Sequence, residues 1–191
     1  MYVDSYGRYK YVRDSAWQCL LDFQVTELPV DLFEIASVEG IKIVRNSVVN
    51  VLVKPVSGLS ILKNGKWSIV YDDSCIFERR RFTVAHELGH IFLGHALVEG
   101  AYGRTFDANK PQRETEADMF AARLLAPACV LWGLNLHAAE EIAAVCSISL
   151  AAAQVRADRM KLLYARGKFL TSALECAVYE QFKPFVQKKN R

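Results

Sequence analysis

The spacing of apolar residues divides the chain into helices at both ends and a short β-rich stretch between them. Over residues 8–24, Val12, Ala16, Trp17, Leu20, Leu21 and Phe23 recur at helical intervals and predict an amphipathic helix that Leu28-Pro29 interrupts. A second helix is predicted over 30–39, with Gly40 placed to cap its C-terminus. Residues 41–45 form a short β-type run, and 48–53 read as a further one. The runs 59–62 and 67–71 flank Asn64-Gly65, the strongest short-range signal for a β-hairpin. A strongly patterned helix is expected over 80–95, a long loop over 96–111, and another helix over 112–126 that stops at Pro127. The remainder reads as helical, in segments 138–145, 149–164 and 171–187. Helices, then a small sheet, then helices make an α+β arrangement. Residues 1–137 are expected to form one domain. Residues 138–191 are expected to form a C-terminal helical extension packed on it, with a helix–turn–helix rhythm carried by Ile142, Val145, Ile148, Ala152, Val155 and Met160.

Composition narrows the classes without choosing among them. With 191 residues, 52% hydrophobic and 24% charged, the chain is neither disordered nor fibrous. A net charge of +3 is too small to argue for nucleic acid or a membrane surface. The longest charge-free run, 124–139, is too short to span a bilayer and is broken by Pro127, Asn135 and His137, so no membrane association is expected. The five cysteines are scattered with no C-x-x-C pair, which predicts reduced, mostly buried thiols in a cytoplasmic protein. Arg79-Arg80-Arg81 reads as a solvated turn. The second helix of the helix–turn–helix rhythm offers only Gln154, Arg156 and Arg159 to a groove, too little for base readout, so nucleic-acid binding is not expected.

Chemistry enters with the histidines. The chain has four, and three of them, His86, His90 and His95, fall within ten residues. Residues 86–90 read His-Glu-Leu-Gly-His, an H-E-x-x-H motif. On a helix His86 and His90 lie one turn apart on one face and can share a metal, while Glu87 stands beside them as a general base. The apolar residues Val84, Ala85, Leu88, Ile91 and Phe92 take the other side. Gly89 leaves room for another element to approach. A catalytic zinc site needs a third protein ligand and an open position for water. His95 falls inside the apolar arc of the wheel and reads as a packing or helix-end residue. The metzincin register also fails, because positions 93 and 96 are Leu and Ala. On the helix over 112–126, Glu114 sits amid Ala117, Ala121, Leu124 and Leu125, where a carboxylate needs a cation, and Glu116 falls on the opposite side as a solvated group. Glu114 is therefore the expected third ligand. Asp118, one turn on, is the expected acceptor for the free ring N–H of a ligating histidine.

The blocks FTVAHELGHIFLGH (82–95) and ETEADMFAARLLAP (114–127) resemble the two signature blocks of the ImmA/IrrE family of zinc metallopeptidases, of the short, phage or mobile-element type. The resemblance implies a zincin-like, gluzincin-type fold: a small mixed sheet and an active-site helix. It implies a Zn2+ held by His86, His90 and Glu114, with Glu87 as catalytic carboxylate. It further implies an endopeptidase acting on a regulatory protein, with a helix-turn-helix repressor as the expected partner. Tyr102 and Arg104, in the connecting loop, are candidates for steadying the oxyanion or substrate. The edge of the hairpin is a candidate for holding substrate as an added strand. A non-hydrolytic module that binds a repressor or DNA is the alternative. Ala126 stands where the family usually has Met, a structural position.

Overall fold

The computed structural model describes residues 2–95 and 110–190, with side chains from 9 to 95 and from 111 to 190. The chain divides into two compact units, Met1–Ser15 with Leu32–Ala121, and Ala16–Asp31 with Ala122–Arg191. Helix α1 (Tyr2–Asp22) contributes to both units.

The first unit holds α2 (Leu32–Val38), β1 (Lys42–Arg45), α3 (Asn46–Val49), β2 (Gly58–Lys63), β3 (Lys66–Tyr71), α4 (Phe77–Phe92) and the first three turns of α5 (Lys110–Leu125). The sheet is small and mixed. Its order is β1-β3-β2, with β1 parallel and β2 antiparallel to β3. The predicted hairpin forms: Asn64 and Gly65 take φ of 52° and 71°, the double left-handed turn that matches strand twist. The strand expected over 48–53 does not form. The Asn46 side chain accepts from the amides of Val51 and Leu52, and Asn50 turns left-handed at φ 51°, so those amides are taken from any ladder.

Helix α4 lies on β2 and β3. Its Val84, Ala85 and Leu88 are buried, as are Ile69, Val70 and Tyr71 of β3. Each large apolar side chain so enclosed contributes about 1.5–3 kcal/mol. α4 starts at Phe77, so the three arginines lie in its first turns rather than in a solvated turn, and Arg80 and Arg81 stack over Phe77. It ends at Phe92, short of the expected 95, because Gly94 takes φ 74°.

The second unit is helical, with α6 (Ala128–Gly133), α7 (Ala139–Cys146), α8 (Leu150–Arg166) and α9 (Ala173–Lys189). α6 was not anticipated. Pro127 reads as a stop, yet it also serves as the cap from which the next helix starts. Ser147 at φ 51° turns the chain between α7 and α8, and the Ser149 hydroxyl caps α8. Arg156 donates to the carbonyl of Ala126, so it is engaged within the protein. Gln181 of α9 donates to the carbonyls of Leu20 and Val25, tying the end of α1 into this unit. All five cysteines are free thiols, with Cys19, Cys129 and Cys146 buried. Among the described residues no helix is long and apolar enough to cross a membrane.

Candidate metal centre

Two helices build the centre. α4 projects His86 and His90 from successive turns, and α5 brings Glu114 opposite them. Their approach depends on Gly89, where a Cβ would stand 3.2 Å from Phe120 and 3.3 Å from the backbone of Ala117. The rings of Phe92 and Phe120 close the same contact one turn further on, with centroids 6.1 Å apart.

The donor atoms converge. His86 Nε2 lies 3.0 Å from His90 Nε2 and 3.3 Å from Glu114 Oε2, and His90 Nε2 lies 3.8 Å from Glu114 Oε1. One ligand atom from each residue falls within 4.8 Å of the others. A tetrahedral centre with bonds of about 2.0–2.1 Å sets its ligand atoms about 3.3 Å apart, so two imidazoles and one carboxylate stand near the edges such an ion requires. The donor set, nitrogen with one hard oxygen, suits a zinc-like divalent ion.

The remaining ring nitrogens are also partnered. His86 Nδ1 lies 2.8 Å from Asp118 Oδ1, as expected. Burial works against a charge on His86. The hydrogen bonds with Asp118 and Glu114 outweigh it, and the pKa is pushed up to about 9. The same bonds with His86, and then with His90, hold the Glu114 carboxyl well below its usual range. Without metal the cluster therefore keeps a proton where a cation would sit.

Glu87 is placed differently from its neighbours. It is buried, and β2 covers it: Ser60 Oγ donates to Glu87 Oε2 at 2.6 Å. Gly58 leaves space for the carboxylate, since a Cβ there would come within 2.8 Å of Oε1. Burial raises the Glu87 pKa, and the Ser60 bond pulls it back in part. Ser60 and Gly58 were not anticipated. No local pattern marks them, because the contact depends on how the hairpin lies across α4.

His95 and Glu116 are placed differently from what the helical wheels predict. His95 is buried, as expected, but its partners are polar. Its Nδ1 lies 3.2 Å from His90 Nδ1 and its Nε2 lies 3.0 Å from Glu116 Oε2. Glu116 is not a solvated carboxylate: its side chain is 12% exposed, against 47% for Glu114. A wheel drawn over 80–95 misplaces His95, because α4 has ended and Gly94 has turned the chain. A wheel of α5 alone cannot see that His95 covers Glu116. The signal available was Gly94 itself, a left-handed stop one residue before the histidine. Tyr102 and Arg104 lie outside the described residues.

An H-E-x-x-H helix laid on a small mixed sheet, with a carboxylate from a second helix closing the donor set, defines a metallopeptidase-like domain. The peptidase M78 family model, the IrrE N-terminal-like domain, matches residues 36–158, and the chain belongs to this ImmA/IrrE family. No curated protein matches the chain.

Proposed function

We propose that the protein is a zinc-dependent endopeptidase with a zincin-like, gluzincin-type fold, hydrolysing a peptide bond in a regulatory protein. The observation that carries this reading is the convergence of His86, His90 and Glu114 beside a buried Glu87 held by Ser60. A cation held by those three residues supplies a Lewis acid that polarises the scissile carbonyl and acidifies water. Glu87 does the proton work. The Ser60 bond fixes the carboxylate, which takes a proton from the attacking water. A burial-raised pKa suits a base that must hold this proton and then release it to the leaving amine nitrogen. The water oxygen bonds to the carbonyl carbon, the C–N bond breaks, and the products are a carboxylate and an amine. β2 is an edge strand among the described residues and runs past Glu87, so it can take an extended substrate as an added strand.

A helix-turn-helix repressor as substrate rests on the family and not on any residue of this chain, and a cytoplasmic setting rests on its pattern of scattered cysteine thiols. The test incubates the zinc-loaded protein with helix-turn-helix repressors, starting with any encoded beside its gene, and follows the fragments by mass spectrometry. Cleavage that stops with a chelator and in Glu87→Gln is expected. An intact repressor that is nevertheless released from DNA would overturn hydrolysis in favour of a binding module.

A further inference from the structure

We infer that His95 and Glu116 are positioning residues for the metal centre, acting as a wire that holds His90 in its ligating orientation. The inference rests on the metal reading of the site and not on proteolysis.

Hydrogen-bond chemistry leaves one consistent arrangement. A histidine that ligates through Nε2 must carry its hydrogen on Nδ1. His90 Nδ1–H then points at His95 Nδ1, 3.2 Å away, which must accept. His95 therefore carries its hydrogen on Nε2, and this donates to Glu116 Oε2 at 3.0 Å. In the opposite sense the hydrogen of His90 moves to Nε2 and blocks the ligand atom. His95 Nε2 would then turn a lone pair to the lone pairs of Glu116. The direction of the wire is thus set by its carboxylate end. Gln112 steadies that end, donating to Glu116 Oε1 at 2.9 Å. The wire is enclosed, with 10% of the His95 side chain and 12% of the Glu116 side chain exposed, so water does not readily replace either partner. α5 therefore supplies the ligand Glu114 and both anchoring carboxylates, Asp118 for His86 directly and Glu116 for His90 through His95.

The test measures Zn2+ affinity by chelator competition. His95→Phe fills the volume but removes both bonds, and is expected to weaken binding about 10–100-fold, the usual effect of losing such a partner. His95→Gln, whose carbonyl can accept from His90 and whose amide can donate to Glu116, is expected to recover most of it. Since Glu116 acts through His95, Glu116→Ala is expected to add little to His95→Phe. Asp118→Ala, which acts on the other histidine, is expected to add in full on a logarithmic scale. A merely structural role would not produce that pattern. A second measurement needs no variant: nitrogen-15 spectra of the zinc-loaded protein are expected to show His90 protonated at Nδ1 and His95 at Nε2. The inverse tautomer of His95, or an unchanged affinity in His95→Phe, overturns the wire. A wild-type protein that binds no Zn2+ overturns the metal reading and the wire together.

Discussion

The two histidines of the centre are held by opposite means. His86 leans on Asp118, whose side chain is 57% exposed, and on a half-exposed Glu114. His90 leans on His95 and Glu116, both enclosed. One flank is thus open to solvent and the other is sealed. Glu87 belongs with the sealed flank, covered by β2. The difference separates two jobs. The charges of the open flank face water and are screened. The sealed flank fixes geometry, and its hydrogen bonds act in a medium where a lost partner is not replaced.

The largest expected effects break one flank at a time. Glu87→Gln keeps the shape of the sealed flank but removes the base, so cleavage is expected to fall roughly 10²–10⁴-fold. Zinc content, read by mass spectrometry, is expected to stay stoichiometric. Loss of metal in this variant would show that Glu87 does not stand apart from the ligands. Glu114→Ala, on the open flank, is expected to lose stoichiometric zinc on dialysis against a chelator. Glu116→Ala is expected to keep metal, at reduced affinity. Equal loss in both would erase the distinction between ligand and anchor.

A smaller effect tests the open flank through pH. The His86 pKa is raised to about 9 without metal, because the bonds with Asp118 and Glu114 outweigh burial. The stability this gives the metal-free protein is present below the ordinary histidine range and is lost as pH rises through about 9. Metal binding must expel the same proton. Zinc affinity is therefore expected to rise about tenfold per pH unit between 6 and 8 and to level off near 9. Calorimetry in buffers of different ionisation enthalpy counts the protons, and about one released at pH 7 is expected. A count of zero would mean that the cluster holds no proton to exchange.

The histidine pair was legible because it obeys a local rule. His86 and His90 lie one helical turn apart, which helix geometry alone provides, while Glu114, the third residue of the candidate set, comes from a second helix and is the more exposed of the two glutamates, 47% against 12% for Glu116, the reverse of what the wheel of α5 predicts. The Asp118 anchor was legible because it lies one turn from Glu114. The hairpin was written in Asn64-Gly65. The sealed flank was not legible. Ser60 and Gly58 reach Glu87 from a different element, and His95 reaches His90 only because the chain leaves the helix at Gly94. Periodicity describes a helix while it lasts and says nothing about the residue after its end. The same limit hid α6, where Pro127 closes one helix and opens the next. At 48–53 the β-rich composition was overridden by one side chain, Asn46, which claims two backbone amides.

The smallest expected effect concerns the contact on which both flanks depend. Gly89 lets α5 sit against α4, and a Cβ there would press on Phe120 at 3.2 Å and on the Ala117 backbone at 3.3 Å. Alanine in a free helix would gain about 1 kcal/mol over glycine. Here the neighbours must yield, and Ala117 is backbone, so overpacking costs about 1–3 kcal/mol. Gly89→Ala is therefore expected to come out destabilised by about 1 kcal/mol in urea unfolding of the metal-free protein. Moving α5 outward carries Glu114, Glu116 and Asp118 with it, since all three stand on that helix. The two flanks should then respond unequally. The open flank can reach across a few tenths of an ångström through solvent-exposed side chains, whereas the sealed wire has no such slack. Zinc affinity in Gly89→Ala is expected to fall, and His95→Phe added to it is expected to cost less than in the wild-type protein. If His95→Phe costs as much in both backgrounds, the spacing of α4 and α5 does not set the wire, and the geometry of His90 is fixed from α4 alone.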